Sequence, residues 1–286
     1  MSFTTEIKNE LCGGQLSKKS AKILLYGFLY GLRDTESGFF TDSETVRDFV
    51  ESLVGKNCVK ALKRTKQGRK GWLLKIIGEP LKKIDYKSSV IDRNYVDGSD
   101  SSTGLFLRGV FISCGVVADP NKEYHLELTA SAEKSHSLFL LINESGMQIK
   151  ESVRKNQPFL YTKDSEGISD FLTFIGAMIS SMEIMNVKIV KDVRNNINRA
   201  VNCEAANIGK TVAASQKQIS DIEYIKSAKG LEFLTEDLRQ IAQMRLDHGE
   251  MSLRELGELM EPKISRSGVN HRLRRISEIA DKLRNS

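Results

Sequence analysis

The chain has 286 residues, of which 40% are hydrophobic and 28% are charged, and its formal net charge is +6. This hydrophobic share argues against a disordered chain, and the length predicts about two domains. Four scattered cysteines and four histidines lack the spacing of metal ligands or of a disulfide framework. We therefore expect no metal and no cofactor.

The amino terminus and the apolar stretches bear on cellular location. The first residues, MSFTTEIKNEL, are polar and charged, and they lack the basic start and apolar core of a secretory signal. The longest apolar stretches are well short of the roughly 20 residues that a membrane-spanning helix needs. We expect a cytoplasmic protein with no membrane contact.

Hydrophobic periodicity predicts two similar series of elements. The first contains helices over 17–33 and 42–54 and strands over 58–65 and 72–77. The second contains helices over 102–115, 132–143 and 165–179 and strands over 124–130, 148–153 and 160–162. We therefore predict an α+β fold with two related repeats, residues 1–84 and 102–191.

The segments around the second repeat also have distinct compositions. Residues 85–101 are polar and include turn-forming residues, so we predict an inter-repeat linker that resists packing. Beyond Asp192, apolar residues recur at helical spacing and predict a connecting helical segment over 192–230. Its polar face offers three further candidate DNA contacts, Arg194, Asn198 and Arg199, although a solvated helix surface is the simpler interpretation.

Residues 231–286 have the pattern of an all-α helix-turn-helix domain. We predict a first helix over 234–246, which Thr235 caps and Gly249 ends in the left-handed conformation. Ser252 and Glu255 form a capping box that starts a second helix. The buried side of this second helix is predicted to consist of Leu253, Leu256 and Leu259.

The third helix of this domain has one apolar face and one basic face. Apolar residues from Val269 to Leu283 recur at helical spacing and should pack on the core, and either Ser265 or Ser267 can cap the helix. Between positions 262 and 284 there are seven basic residues and two acidic ones. The predicted DNA-contacting residues are Lys263, Ser265, Arg266, Ser267, Asn270, His271, Arg272, Arg274, Arg275 and Lys282.

These side chains suit double-stranded DNA. An α-helix fits the major groove, where arginine reads guanine and asparagine reads adenine. A basic amphipathic helix in a bundle, or one that meets an acidic protein, is the alternative interpretation.

A second basic stretch covers residues 55–83, with ten basic residues and one acidic residue. It surrounds the predicted hairpin. Such a ribbon can contact DNA, but charge on a hairpin also keeps a sheet edge soluble, and both interpretations stay open. The candidate contacts here are Lys60, Lys63, Arg64, Lys66, Arg69 and Lys70.

The segment SLRELGELMEPKISRSGVNHRLRRISEIADKL resembles the C-terminal domain of WhiA proteins, which is similar to the promoter-reading domain of sigma factors. The resemblance continues upstream through VKIVKDVRNNINRAVNCEAANIGKT and LRGVFISCGVVADPNKEYHLEL. It implies that the two repeats form a degenerate domain with the fold of LAGLIDADG homing endonucleases. In that fold two symmetry-related helices pack together, and Gly27 and Gly109 can permit this close contact.

The resemblance also locates the two acids that such a nuclease would use. The motif LYGFLYGLR has Leu32 at the acid's place, and the motif LRGVFISCG has Cys114, whose thiol cannot act as a hard oxygen ligand for magnesium. Asp34 and Asp119 lie at unequal distances from the two motifs, so a symmetric substitution is not expected. A binding protein on a nuclease scaffold is the implied result.

The family resemblance implies a non-enzymatic transcriptional regulator of cell division, chromosome segregation and sporulation. We expect it to be nucleoid-associated and monomeric, to bind double-stranded DNA and to have a protein partner in transcription or division. One alternative is an adaptor protein, whose affinity for DNA would hardly change with salt. The other is an active LAGLIDADG endonuclease, which would nick DNA when magnesium is added.

Overall fold

The computed structural model describes residues 2–32, 38–66, 68–78 and 80–285. These residues form two compact units, 1–192 and 193–286. Each unit has a hydrophobic core of its own. Within the described ranges, no helix combines the length and the apolar character needed to cross a bilayer.

The first unit contains two similar series of elements, as predicted. The first series comprises α1 (Phe3–Leu11), α2 (Lys18–Gly31), β1 (Phe39–Thr41), α3 (Glu44–Val54), β2 (Val59–Lys66), β3 (Arg69–Ile76) and α4 (Pro80–Lys83). The second series comprises α5 (Asp100–Cys114), β4 (Gly115–Val117), β5 (Leu126–Leu128), α6 (Ala132–Glu144), β6 (Lys150–Arg154), β7 (Gln157–Thr162) and α7 (Ser165–Ile175). The predicted α+β class is therefore confirmed.

Each series forms one antiparallel sheet. The first sheet has the strand order β1-β3-β2, and the second has the order β4-β5-β7-β6. The short strands β1 and β4 were not predicted, because three residues are too few to show an alternating pattern. In both sheets one face packs on the core of the unit, for example through Leu74 and Leu128.

Helices α2 and α5 pack against each other at the centre of the first unit, and two glycines make this contact close. A Cβ atom at Gly27 would overlap the carbonyl oxygen of Phe106, and one at Gly109 would overlap that of Leu24. The main chains of the two repeats therefore touch directly, as the resemblance implied for these two glycines. Bulky side chains such as Phe28 and Phe111 fill the space on either side and are fully buried.

The segment between the repeats is packed, which contradicts our prediction for residues 85–101. Tyr86, Ile91 and Val96 are buried. Tyr26 accepts a hydrogen bond from the backbone N–H of Asp92 at 2.9 Å, and the Tyr30 hydroxyl donates one to the carbonyl of Ser89 at 2.7 Å. The prediction was wrong because a few apolar residues and hydrogen bonds to two tyrosine hydroxyls of α2 are enough to pack this polar segment.

The second unit includes most of a long helix and the three helices of the carboxyl-terminal region. The helices are α8 (Met178–Lys229), α9 (Glu236–Asp247), α10 (Leu253–Leu259) and α11 (Arg266–Arg284). The boundary between the units falls within α8. We expected one helix over 165–179 and another after Asp192, but α7 ends at Ile175 and α8 begins at Met178. Gly176 causes the break, since it adopts the left-handed conformation.

Candidate nucleic-acid interface

Helices α10 and α11 and the turn between them form the predicted helix-turn-helix. The capping box at the start of α10 is present: Glu255 N–H donates to the Ser252 hydroxyl at 3.3 Å, and Ser252 N–H donates to the Glu255 carboxylate at 2.7 Å. Gly257 permits a close turn, because a Cβ atom there would overlap the carbonyl oxygen of Ile264. The local sequence thus sets both the start of α10 and its distance from the chain that follows.

Three details of this region differ from the sequence prediction. Gly249 does not end α9 in the left-handed conformation, since the helix already stops at Asp247. Thr235 is the N-cap residue of α9 as predicted, but its hydroxyl donates to the Asp237 carboxylate at 2.6 Å and accepts no backbone N–H of the first turn. Leu259 is 46% exposed, whereas Leu256 is fully buried. Met260, four residues after Leu256, takes the buried position instead.

Helix α11 buries one face and leaves the other open. Its N-cap is Ser265, whose hydroxyl accepts from the N–H of Gly268 at 3.2 Å. Val269, Leu273 and Ile276 are almost fully buried in the core of the second unit. The opposite side of α11 therefore points away from that core.

The structure leaves nearly all the predicted DNA-contacting residues exposed. The exposed ones are Lys263, Ser265, Arg266, Ser267, Asn270, His271, Arg274, Arg275 and Lys282. Arg272 is half-buried and approaches Asp237 of α9 at 3.7 Å. Arg274 is 80% exposed and is 3.3 Å from Glu278, one helical turn further along. Ser267, Asn270, His271 and Arg274 thus lie together on one open face of α11, which we call the α11 face.

Two buried charged residues that the sequence did not identify hold this domain together. Asp221 of α8 is 1% exposed, and its carboxylate accepts from Arg284 at the end of α11 at 2.8 Å. Arg245 of α9 is 2% exposed and donates to the carbonyl of Met251 at 2.7 Å. Burial lowers the pKa of Arg245. These contacts attach α11 to α8 and α9 to the start of α10.

The basic hairpin of the first sheet places its cations on two different faces. Strand register puts Lys60, Arg64, Lys66 and Arg69 on the outer face with Lys75. Lys63 and Lys70 lie on the opposite face, so the predicted set is divided. We call the outer set, Lys60, Arg64, Lys66, Arg69 and Lys75, the hairpin belt.

The outer face of the second sheet has a different composition. Glu127 is nearly buried there and accepts two hydrogen bonds from Arg154, at 2.7 and 3.2 Å. His125 lies 3.4 Å from the same carboxylate, and its ring stacks on Tyr161 with centroids 6.1 Å apart. Burial would raise the pKa of Glu127, but the hydrogen bonds from Arg154 and His125 outweigh burial and lower it. Much of the charge on this face is therefore neutralised internally.

The three candidates on α8 are all exposed. Arg194, Asn198 and Arg199 project from a stretch of helix whose residues are exposed on every side. Nothing in the second unit brings them to the α11 face, so the structure leaves them as a separate group.

The ends of α2 and α5 do not fit a magnesium ion. Leu32 is buried and has no donor atom, and the Cys114 thiol donates to the carbonyl of Val110 at 3.3 Å. The Lys134 ammonium, which is itself buried, donates to the Tyr30 carbonyl in the last turn of α2 at 3.1 Å. Burial lowers the pKa of Lys134 to about 8. A magnesium ion at this end of α2 would meet the positive charge of Lys134, whereas a nuclease needs a carboxylate there.

The two aspartates that could replace the missing acids do not supply a pair. Asp119 is half-buried, and its carboxylate accepts from the N–H and the side-chain amide of Asn121. Asp34 lies outside the described residues. Among the residues that the structure describes, no group of three or more His, Cys, Asp or Glu side chains could hold a metal ion.

Two protein families match this chain, and they match consecutive segments. Residues 103–194 match the WhiA LAGLIDADG-like domain, and residues 197–280 match the WhiA C-terminal helix-turn-helix domain. The second match includes the α11 face and most of the exposed stretch of α8, from residue 197 onward.

Relatives and a solved structure agree with these matches. The chain is 36% identical to a protein named "Probable cell division protein WhiA" from Lachnospira eligens, over all of this chain and 98% of that protein. A protein of the same name from Clostridium perfringens strain SM101 is 45% identical over 74% of this chain and 68% of its own length. The crystal structure of full-length DUF199/WhiA from Thermotoga maritima is 28% identical and covers 99% of both chains with a TM-score of 0.55. The chain therefore belongs to the WhiA family, with a LAGLIDADG-like domain followed by a helix-turn-helix domain.

Proposed function

We propose that this protein is a non-enzymatic regulator that binds double-stranded DNA in a sequence-selective way through the α11 face. The observation that carries the proposal is the division of α11 into a buried apolar side and an open side with arginine, asparagine, histidine and serine. Arginine and asparagine can form paired hydrogen bonds with guanine and adenine in the major groove. Exposed serine and lysine residues at the ends of the helix can bind phosphates.

The hairpin belt would add phosphate contacts without base selectivity. Its five cations lie on one sheet face, and the outer face also contains Leu62 and Leu73, which carry no opposing charge. Cations that neutralise phosphates release counterions, so each contact makes binding more dependent on salt. Arg194, Asn198 and Arg199 of α8 are candidates for a third group of contacts.

The biological role that we propose follows the names of the relatives. Those proteins are called probable cell division proteins, and a DNA-binding regulator at the nucleoid could act on division and chromosome segregation. In sporulating organisms the same activity would extend to sporulation. A protein partner in transcription or division would complete this role.

Substitution of one α11 residue tests the proposal. Duplexes are first selected from a random pool with the full chain, and affinity for a selected duplex is then measured at fixed salt. We expect Arg274→Ala to weaken specific binding by about 1–3 kcal/mol, because a base contact is lost. The loss should be much smaller on unrelated DNA.

Arg239→Ala is the matched control for this experiment. Like Arg274, Arg239 pairs with a glutamate on its own helix, in this case Glu236 of α9, and its side chain is partly exposed. It lies outside the α11 face and should leave affinity unchanged. If Arg274→Ala and Arg239→Ala bind selected DNA equally well, the α11 face does not read bases.

A further inference from the structure

A stretch of α8 in the second unit is exposed around its whole circumference. Every residue from Val193 to Ala214 is exposed, over about 33 Å of helix. Five β-branched apolar residues share one side of this stretch at 100° per residue, and we call them the α8 stripe: Val193, Ile197, Val201, Ile208 and Val212. Each is between 48 and 57% exposed. A stripe of this kind is typical of a helix that packs against a partner.

The α8 stripe continues a side of the helix that the second unit already uses for packing. Further along the same side, the Ser215 hydroxyl donates to the carbonyl of Gly249 at 2.5 Å. Ile222 is fully buried in the core that α9, α10 and α11 form. The side chains of the α8 stripe have the same character, but no described residue of the second unit covers them in this way.

The sequence of this stretch is nearly symmetric about its midpoint, between Asn202 and Cys203. Equal distances from the midpoint carry the same residue type in four pairs: Val193 and Val212, Ile197 and Ile208, Asn198 and Asn207, Ala200 and Ala205. Two antiparallel helices related by a two-fold axis bring the members of each pair to the same level. We propose that the α8 stripe binds the α8 stripe of a second copy of this chain, in antiparallel orientation.

Charge favours the antiparallel orientation over the parallel one. Glu204 is the one acidic residue between Val201 and Ile208 on this side of the helix. In a parallel pair the two Glu204 carboxylates would face each other, whereas the antiparallel pair places each one opposite Val201 of the other copy. Like charges at an interface disfavour association.

A groove beside the α8 stripe contains an acidic residue that can pair with an arginine of the second copy. It has a volume of about 560 Å³, and Thr211, Val212 and Glu250 are among the residues that line it. In the antiparallel pair, Arg194 of the second copy reaches the level of Thr211. Two symmetric ion pairs between Arg194 and Glu250 can then form, one at each end of the contact.

This proposal replaces the monomer that we expected from the internal repeat. It uses none of the residues of the α11 face or the hairpin belt. Arg194 is also a candidate DNA contact, but DNA binding through the α11 face and self-association through the α8 stripe share no residue, and they are measured by different experiments.

Sedimentation of the full chain from about 1 to 100 μM tests the proposal. We expect a particle of twice the 32.1 kDa chain mass to form as concentration rises. Ile208→Asp should weaken association by about tenfold or more, because it places an unpaired charge in the contact. Ala206→Asp, on the opposite side of the same helix, adds the same charge and should associate like the unmodified chain. A chain that stays monomeric throughout, or equal effects of the two substitutions, would overturn the proposal.

Two further experiments test the orientation. Chains with Val193→Cys and chains with Val212→Cys, each also carrying Cys203→Ser, are mixed and treated with a short bis-maleimide. We expect linkage between the two kinds of chain, and linkage of Val193→Cys chains to each other instead would contradict the antiparallel pair.

Arg194→Glu and Glu250→Arg should each weaken association, and their combination should restore it. Failure of the combination to restore association would exclude this ion pair and with it the proposed register.

Discussion

The two sheets of the first unit share a fold but differ in the charge of their outer faces. The first sheet has the five cations of the hairpin belt, and among the described residues Asp42 approaches one of them, at 3.8 Å from Arg69. On the second sheet, Glu127 lies at the centre and already binds Arg154. Duplication therefore preserved the framework and not the electrostatics. Among the described residues, the outer face of the first sheet therefore carries more uncompensated positive charge, which favours contact with phosphates.

The largest effect that we expect is a loss of stability when the contact between α2 and α5 is disrupted from either helix. Gly27→Ala and Gly109→Ala should each lower the free energy of unfolding by about 3 kcal/mol or more, because the added methyl group overlaps a backbone carbonyl. Trp72 is the single tryptophan of the chain and belongs to the first unit, so its fluorescence in a urea titration reports this loss.

Gly209→Ala is the control for the glycine substitutions. Gly209 lies in the exposed stretch of α8, and a Cβ atom there would have no neighbour within 4 Å. The Trp72 transition should be unchanged in this variant. If Gly27→Ala is tolerated equally well, the two repeats are not held by direct contact between main chains.

The difference in charge between the sheets predicts a smaller effect on DNA affinity. Arg64→Ala should reduce the salt dependence of binding by about one phosphate contact, because Arg64 belongs to the hairpin belt. Lys63→Ala changes the adjacent residue, which lies on the other face of the same strand, and should have little effect. Affinity titrations at several salt concentrations measure both slopes.

The second sheet supplies the comparison for this experiment. Lys150 lies on its outer face at the level of Tyr161, and Lys150→Ala should leave the slope unchanged. A slope that falls equally for Lys150→Ala and Arg64→Ala would mean that both sheets contact DNA, and the asymmetry between the repeats would lose its functional meaning.

The smallest effect that we expect concerns the pH dependence of stability. The hydrogen bonds to Glu127 lower its pKa in the folded state below that of the unfolded chain. Their contribution to stability is therefore present above the unfolded pKa, which is about 4.3, and it is lost as the pH falls through the folded pKa. Glu127→Gln should flatten this part of the pH profile by about 1 kcal/mol or less, since Arg154 is largely exposed. Urea titrations between pH 3 and pH 7 would show it, and an unchanged profile would contradict the role of this carboxylate.

The helix-turn-helix was the most predictable part of the molecule, because its signals are local. The capping box at Ser252 and Glu255 and the apolar stripe of α11 depend only on residues a few positions apart. The exposure of Asn270 and Arg274 followed directly from the stripe. The prediction for Leu259 was wrong because the buried side of this segment runs from Leu256 to Met260, four residues on, and Leu259 lies beside that line.

Long-range features were harder to predict from the sequence. Strands β1 and β4 exist because neighbouring strands pair with them, and the packing of residues 85–101 depends on the hydroxyls of Tyr26 and Tyr30. Helix α1 did leave a signal that we did not use. Ser2 caps it, and Phe3, Ile7 and Leu11 recur every four residues and are buried. The division of the hairpin cations between two faces required the register of β2 and β3.

The direct contact between α2 and α5 also has a consequence for engineering. Because main chains make the contact at Gly27 and Gly109, its geometry does not depend on which side chains occupy the outer surfaces of the two sheets. A hairpin with a different set of surface residues could be grafted onto either half without realigning the other. The scaffold is therefore suited to libraries in which one sheet is randomised while the opposite sheet stays fixed as an internal reference.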